Sequence, residues 1–206
     1  MTSVFLEETV LLRPLRSFGI TTLYTGPMTA GKSDALISDF NRRLKYGRQC
    51  GSIFRPVVSK RDDHDRHESR NGESCLCTFF ESLEHLRTLV NTDENVIGID
   101  EIHFLDDPMA LVRFIESIQA RGQDVLLGGV DTNFLGEAFP TVSAVMNLDN
   151  IHVHRLHAWC TVCGFEARWS QLMGEPPIDG SIIQTGYDYE ARCTEHFEPR
   201  QMMAVS

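Results

Sequence analysis

The chain has 206 residues, 42% of them hydrophobic, enough for one ordinary domain or a main domain with a small appendage. A formal charge of −10, from 29 acidic against 19 basic residues, disfavours nucleic-acid backbone, whose binding needs clustered lysine and arginine. The apolar runs are only strand-length, so none reads as a membrane span, and residues 1–18 lack the basic start and apolar stretch of a signal peptide. The expectation is a cytoplasmic enzyme with a small substrate, no membrane attachment and no nucleic-acid partner. Six cysteines without a secretory signal suit metal binding better than disulfides.

Residues 1–18 read as an N-terminal extension, either a short packing arm or a loosely held segment. Thr21 to Thr25 then forms a short strand that ends at the glycine-bearing loop Gly26 to Gly31. A helix follows from Lys32 to about Tyr46, where Leu36, Phe40 and Leu44 recur on one face and Gly47 stops it. Cys50 to Phe54 is a second strand, and the polar stretch Ser59 to Glu73 reads as a surface loop. Ser82 to Val90 is helical, Asn95 to Asp100 is a buried strand, and Pro108 to Arg121 is a helix lined by Leu111, Phe114, Ile115 and Ile118. Asp124 to Asp131 is a further apolar strand.

Strands alternating with helix-length segments imply right-handed βαβ units and a parallel sheet covered on both faces. After about Asn150 paired cysteines and short β-like stretches replace this alternation. The fold class expected is therefore α/β: a P-loop, RecA-like parallel-sheet core over residues 19–149, followed by a small zinc-ribbon domain over residues 150–206.

Three constellations carry chemistry. Gly26-Pro27-Met28-Thr29-Ala30-Gly31-Lys32-Ser33 matches G-x-x-x-x-G-K-[ST] in full. Such a loop wraps phosphate with successive backbone amides while the following helix aims its N-terminus at the same anion. Lys32 would reach the β- and γ-phosphates of ATP, and the Ser33 hydroxyl would ligate Mg²⁺. Asp100-Glu101 ends the apolar strand. Two acids there could merely cap a strand for solubility. Beside a P-loop, Asp100 suits Mg²⁺ held through water, and Glu101 could take a proton from an acceptor hydroxyl or a water.

Cys160-x-x-Cys163 and Cys193-x-x-His196 have the spacing of a closed tetrahedral, structural Zn²⁺ site. A redox pair would leave Cys193 and His196 unexplained. Cys50, Cys75 and Cys77 read as ordinary thiols.

With GPMTAGKS, IDEIHFL, GVDTNFLGEAF, the C-x-x-C pair and TGYDYEARC in this order, the chain resembles the zinc-containing (type II) thymidine kinase family from about Thr21 to His196. The resemblance implies ATP-dependent phosphorylation of the thymidine 5′-hydroxyl, with Glu101 as general base. It implies ATP contacts from Gly26 to Ser33, Arg61 and the turn Asp100, Glu101, Ile102, His103. It implies nucleoside contacts from Phe104 and Phe134, with Met28, Val130 and Ser170 near the base. Gly180, Ser181, Ile182, Ile183, Gln184 and Tyr189 correspond to a lasso-like loop that closes over the nucleoside. Phe139 is equally well explained by core packing. A homo-oligomer is implied, a tetramer or alternatively a dimer, as is inhibition by thymidine triphosphate.

The chain departs from the family pattern at Ser59, His103, Leu135, Gln184 and Thr185. These departures bear on nucleoside preference more than on kinase chemistry. A kinase of deoxyuridine or a 5-modified deoxyuridine is the alternative the motifs do not separate, since one methyl group changes discrimination by only about 1–3 kcal/mol. An ATP-dependent nucleic-acid-binding module and a regulatory nucleotide-binding protein that has lost catalysis are the rivals from other classes. The acidic charge opposes the first, and intact Lys32, Ser33, Asp100 and Glu101 oppose the second.

Overall fold

The computed structural model describes residues 17–47, 49–59, 66–68, 74–175 and 187–199. Its elements in chain order are β1 (Thr21–Gly26), α1 (Lys32–Tyr46), β2 (Gly51–Pro56), β3 (Arg66–Glu68), β4 (Ser74–Phe80), α2 (Leu83–Leu89), β5 (Val96–Ile99), α3 (Pro108–Gln119), β6 (Asp124–Val130), α4 (Pro140–Val145) and β7 (Ile151–Arg155). Short hairpins follow, made from β8 (Ala158–Trp159) with β9 (Glu166–Ala167), and β10 (Trp169–Leu172) with β11 (Tyr189–Arg192).

The first seven strands form one sheet in the order β3-β4-β2-β5-β6-β1-β7. Every neighbouring pair is parallel except β3 with β4. A strand, β6, thus separates the glycine-loop strand β1 from the acid-bearing strand β5, which is the RecA-like arrangement.

Alternating side chains explain why both faces are covered. Leu23, Ile97, Ile99, Val125 and Leu127 pack on one face with Leu111, Phe114, Ile115 and Ile118 of α3 and Val142 and Val145 of α4. Tyr24, Ile53, Val96 and Leu126 pack on the other face with Leu36, Ile37 and Phe40 of α1. Two buried faces leave little room for polar side chains on the central strands. Helix starts are set locally: the Asp107 carboxylate accepts from the Ala110 amide at 2.9 Å with Pro108 just inside, and the Ser82 hydroxyl accepts from the His85 amide at 3.1 Å.

Two segments differ from the sequence expectation. The polar stretch Ser59 to Glu73 contains strand β3, paired antiparallel with β4, which the sequence reading also passed over. β3 lies at the sheet edge, so backbone pairing rather than apolar alternation creates it, and periodicity has nothing to detect. Beyond Asn150, where the composition changes, β7 continues the large sheet by pairing in parallel with β1.

Candidate active site

Parallel strands end on the same side of a sheet, so the loops after β1, β5 and β6 meet there. The glycine loop leaves β1 and turns into α1 through Gly31, at φ 78°, a left-handed conformation that glycine adopts without a Cβ penalty. Among the described residues no side chain caps the α1 N-terminus. Its first-turn amides, together with the helix dipole, suit an anion. The Lys32 ammonium lies over the same loop and donates to the Pro27 carbonyl at 2.6 Å.

The acid pair converges on this loop. The Ser33 hydroxyl donates to Asp100 Oδ2 at 2.7 Å, and the Glu101 amide donates to Asp100 Oδ1 at 2.9 Å. Asp100 is almost wholly buried. Glu101 itself sits at φ 59°, ψ 40°, a left-handed conformation that costs a non-glycine residue about 1–2 kcal/mol. Its carbonyl accepts from the Phe104 amide at 3.1 Å, closing the turn Ile102–Phe104. Strain in one residue, offset by the turn around it, fixes where the carboxylate leaves the backbone. It keeps about 17% side-chain exposure.

Arg55, at the end of β2, reaches both acids: its Nη2 is 3.3 Å from Glu101 Oε1 and its Nε is 4.0 Å from Asp100 Oδ2. Sequence reasoning missed this residue. The available signal was an arginine directly after the apolar pair Ile53-Phe54, because such a charge is rarely buried without a partner. Gly128 was also missed. A Cβ there would stand 2.1 Å from Asp100 Oδ1, so the glycine makes room for the acid.

His103 is buried in the turn after Glu101. Its Nδ1 accepts from the Val130 amide at 3.3 Å and its Nε2 lies 3.5 Å from Glu101 Oε2. Burial holds its pKa below the usual histidine value, against the pull of the Glu101 charge. Asp131, just past β6, is shifted the other way, its pKa raised chiefly by burial.

The aromatic candidates divide. Phe104 is half-buried beside His103 and Phe134 is fully buried. Phe134 is fixed by the loop around Asn133, whose side-chain oxygen accepts from the Leu135 and Glu137 amides at 2.9 and 3.0 Å. Phe139 joins the main core cluster. Tyr189 begins β11, and burial pushes its pKa up to about 12. Ser170 faces the glycine loop: its hydroxyl accepts from the Met28 amide at 2.9 Å. Arg61 and residues Gly180, Ser181, Ile182, Ile183 and Gln184 lie outside the described residues.

Cys160, Cys163, Cys193 and His196 come together at the ends of the short hairpins, with their ligand atoms all within 4.8 Å of one another. Cys163 Sγ and Cys193 Sγ are 3.7 Å apart, and His196 Nδ1 is 3.2 Å from Cys193 Sγ and 3.8 Å from Cys160 Sγ. Two thiolates on one tetrahedral zinc, each at ~2.3 Å, are separated by about 3.8 Å, so this donor set could hold zinc. Burial opposes ionisation of Cys160, but the backbone amides of Cys193, Cys163 and Val162 draw its pKa down to about 6. The small apolar core of this unit, Ala158, Ala167 and Ala191 with Cys160 and Cys193, packs against Ala30 of the glycine loop.

A RecA-like sheet, a phosphate loop and an acid pair at the carboxyl end of its central strand define an α/β enzyme of the P-loop class. Residues 19–197 match the family model described as thymidine kinase. A thymidine kinase of Thermococcus kodakarensis is 32% identical over 196 residues, covering 90% of this chain and 97% of that protein. The chain belongs to the thymidine kinase family and is a kinase. The Cys/His cluster agrees with the zinc-containing type. Among the described residues no helix is long and apolar enough to cross a membrane.

Proposed function

We propose that the protein transfers the γ-phosphoryl group of ATP to the 5′-hydroxyl of thymidine. The single observation that carries this reading is the convergence of the α1 N-terminus, Lys32, Ser33, Asp100 and Glu101 at the carboxyl ends of the sheet strands. Backbone amides at the start of α1 and the Lys32 ammonium cradle the phosphates. Ser33 and Asp100 are the residues that would hold Mg²⁺, which when bound neutralises charge on the phosphate oxygens. Their 2.7 Å contact supports this pairing, since it brings hydroxyl and carboxylate oxygens to one point.

Glu101 accepts the proton of the 5′-hydroxyl as that oxygen attacks the γ-phosphorus in line. The bond to the β-phosphate bridging oxygen breaks, leaving ADP and thymidine monophosphate. Phe104 and Phe134 supply apolar faces for a flat pyrimidine. The segment holding Gly180 to Gln184, together with Tyr189, is assigned to nucleoside contact, which would keep water from competing as acceptor. Zinc held by Cys160, Cys163, Cys193 and His196 serves structurally, by joining the two strands of chain that carry this loop. The active form is a homo-oligomer.

Purified protein given Mg-ATP and thymidine should form thymidine monophosphate. Glu101→Gln should bind ATP normally and lose about 10²–10⁴-fold in turnover. Absence of product from the unmutated protein, or undiminished turnover in the variant, rejects the reading. Deoxyuridine and 5-modified deoxyuridines in the same assay distinguish the alternative acceptors.

A further inference from the structure

We propose that His103 is a positioning residue for Glu101, its Nε2–H bracing one carboxylate oxygen while Arg55 holds the other. This inference rests on the reading of Glu101 as the base. The ring's orientation is set from three sides. Val130 donates its amide to Nδ1 at 3.3 Å, which leaves the ring proton on Nε2. Phe104 lies against the ring with centroids 4.3 Å apart, and Phe139 packs on it at 5.2 Å. Nε2 is thereby aimed at Glu101 Oε2, 3.5 Å away, across from Arg55 Nη2 at 3.3 Å from Oε1.

Neutrality matters here. A buried histidine with its pKa held down by burial donates through Nε2 without adding a second full positive charge to that of Arg55. A second cation would stabilise the carboxylate and weaken it as a base. A neutral donor orients it at smaller cost to basicity. The main chain at Glu101 is already strained, so its side chain gains from a brace that fixes its rotamer. The backbone of β6 thus acts on the base through the Val130 amide and the imidazole ring.

Amide side chains separate the two ends of the ring. In His103→Asn the side-chain oxygen can still accept from Val130 where Nδ1 did, but no donor reaches Glu101. In His103→Gln the amide nitrogen replaces the Nε2 donor. We expect His103→Asn to lose about ten- to a hundredfold in kcat, as misplacement of a catalytic group does, a larger factor than any change in KM for either substrate. His103→Gln should recover most of that loss. In a Glu101→Gln background His103→Asn should have no further effect on kcat.

Wild-type turnover in His103→Asn, equal losses in both amide variants, or a further drop in the double variant overturns the inference. Should the variants not fold, the ring of the unmutated enzyme is still decisive. Nitrogen-15 correlation spectra at neutral pH should show a neutral His103 protonated on Nε2, and a proton on Nδ1 overturns the inference. Full turnover in Glu101→Gln alone refutes the base assignment instead, so the two failures are distinguishable.

Discussion

The hydroxyl of Ser33 donates to the Oδ2 of Asp100 across 2.7 Å, joining the start of α1 to the end of β5 although 67 residues separate them. This bond draws the phosphate loop and the acid-bearing strand to one point, and the Glu101 amide occupies the other carboxylate oxygen at 2.9 Å. A hydrogen bond to an ionised group contributes about 1.5–3 kcal/mol. Ser33→Ala should therefore melt at a lower temperature than the unmutated protein. It should also lose about tenfold or more in affinity for Mg-ATP, and much less for metal-free ATP. Calorimetric titration with and without Mg²⁺ reads the difference, and equal losses would count against Ser33 as a metal ligand.

Gly128 offers a second test of the same point. A methyl group added there would stand 2.1 Å from Asp100 Oδ1, so the carboxylate or the strand must shift, while Leu36 Cδ1 at 3.3 Å is only tight. Overpacking of this kind costs roughly 1–3 kcal/mol. Because the displaced group is Asp100, Gly128→Ala should lose most of its turnover while still forming a folded, cooperatively melting protein. Near-normal kcat in that variant would show that the carboxylate position is not critical.

The Cys/His unit reaches the phosphate loop through Ser170, which accepts from the Met28 amide, and through its small core against Ala30. Purified protein should carry about one zinc per chain, since the four donors complete one tetrahedral shell. Cys193→Ser should lose the metal, melt earlier and lose activity together. Ser170→Ala, by contrast, should retain zinc while raising the KM for ATP. Metal analysis and kinetics on both variants check this, and full activity in zinc-free protein would remove the structural role.

Asp39 predicts a pH dependence remote from the active site. It accepts from the Tyr24 hydroxyl at 3.0 Å, Arg42 Nη2 at 3.0 Å and Arg43 Nε at 3.2 Å. Burial alone would raise its pKa, but the Arg42 hydrogen bond and the Arg43 charge outweigh it, and the net shift is downward. A depressed carboxylate contributes stability that is complete above its unfolded pKa of about 3.9 and fades as pH falls through the folded value. Asp39→Asn should cost about 1–3 kcal/mol near neutrality, since it removes the charge faced by the buried Tyr24 hydroxyl and the partly buried Arg43 guanidinium. That deficit should shrink below about pH 4. A deficit that stays constant down to strongly acid pH would show that packing, not charge, sets it.

Local pattern made much of this legible in advance. The apolar face of Leu36 and Phe40 marked α1 with its observed bounds, and Pro108 with the Leu111 to Ile118 stripe marked α3. Strand β3 and the short helix α4 escaped because an edge strand of three residues and a helix of six carry no usable period. Arg55 escaped because its partners lie 45 and 46 residues downstream.

The amino-acid sequence alone marked most of the longer elements, the phosphate loop and each of the two short Cys/His motifs, because each depends on residues near one another in the chain. Folding decided the rest. The β6 strand between β1 and β5 sets the distance from the glycine loop to the acids, and Gly128 on that strand clears the space for Asp100. The left-handed turn at Glu101, the arginine beside it and the buried imidazole behind it arise from contacts between remote segments. Such contacts form only once the sheet has its strand order, which no local spacing encodes.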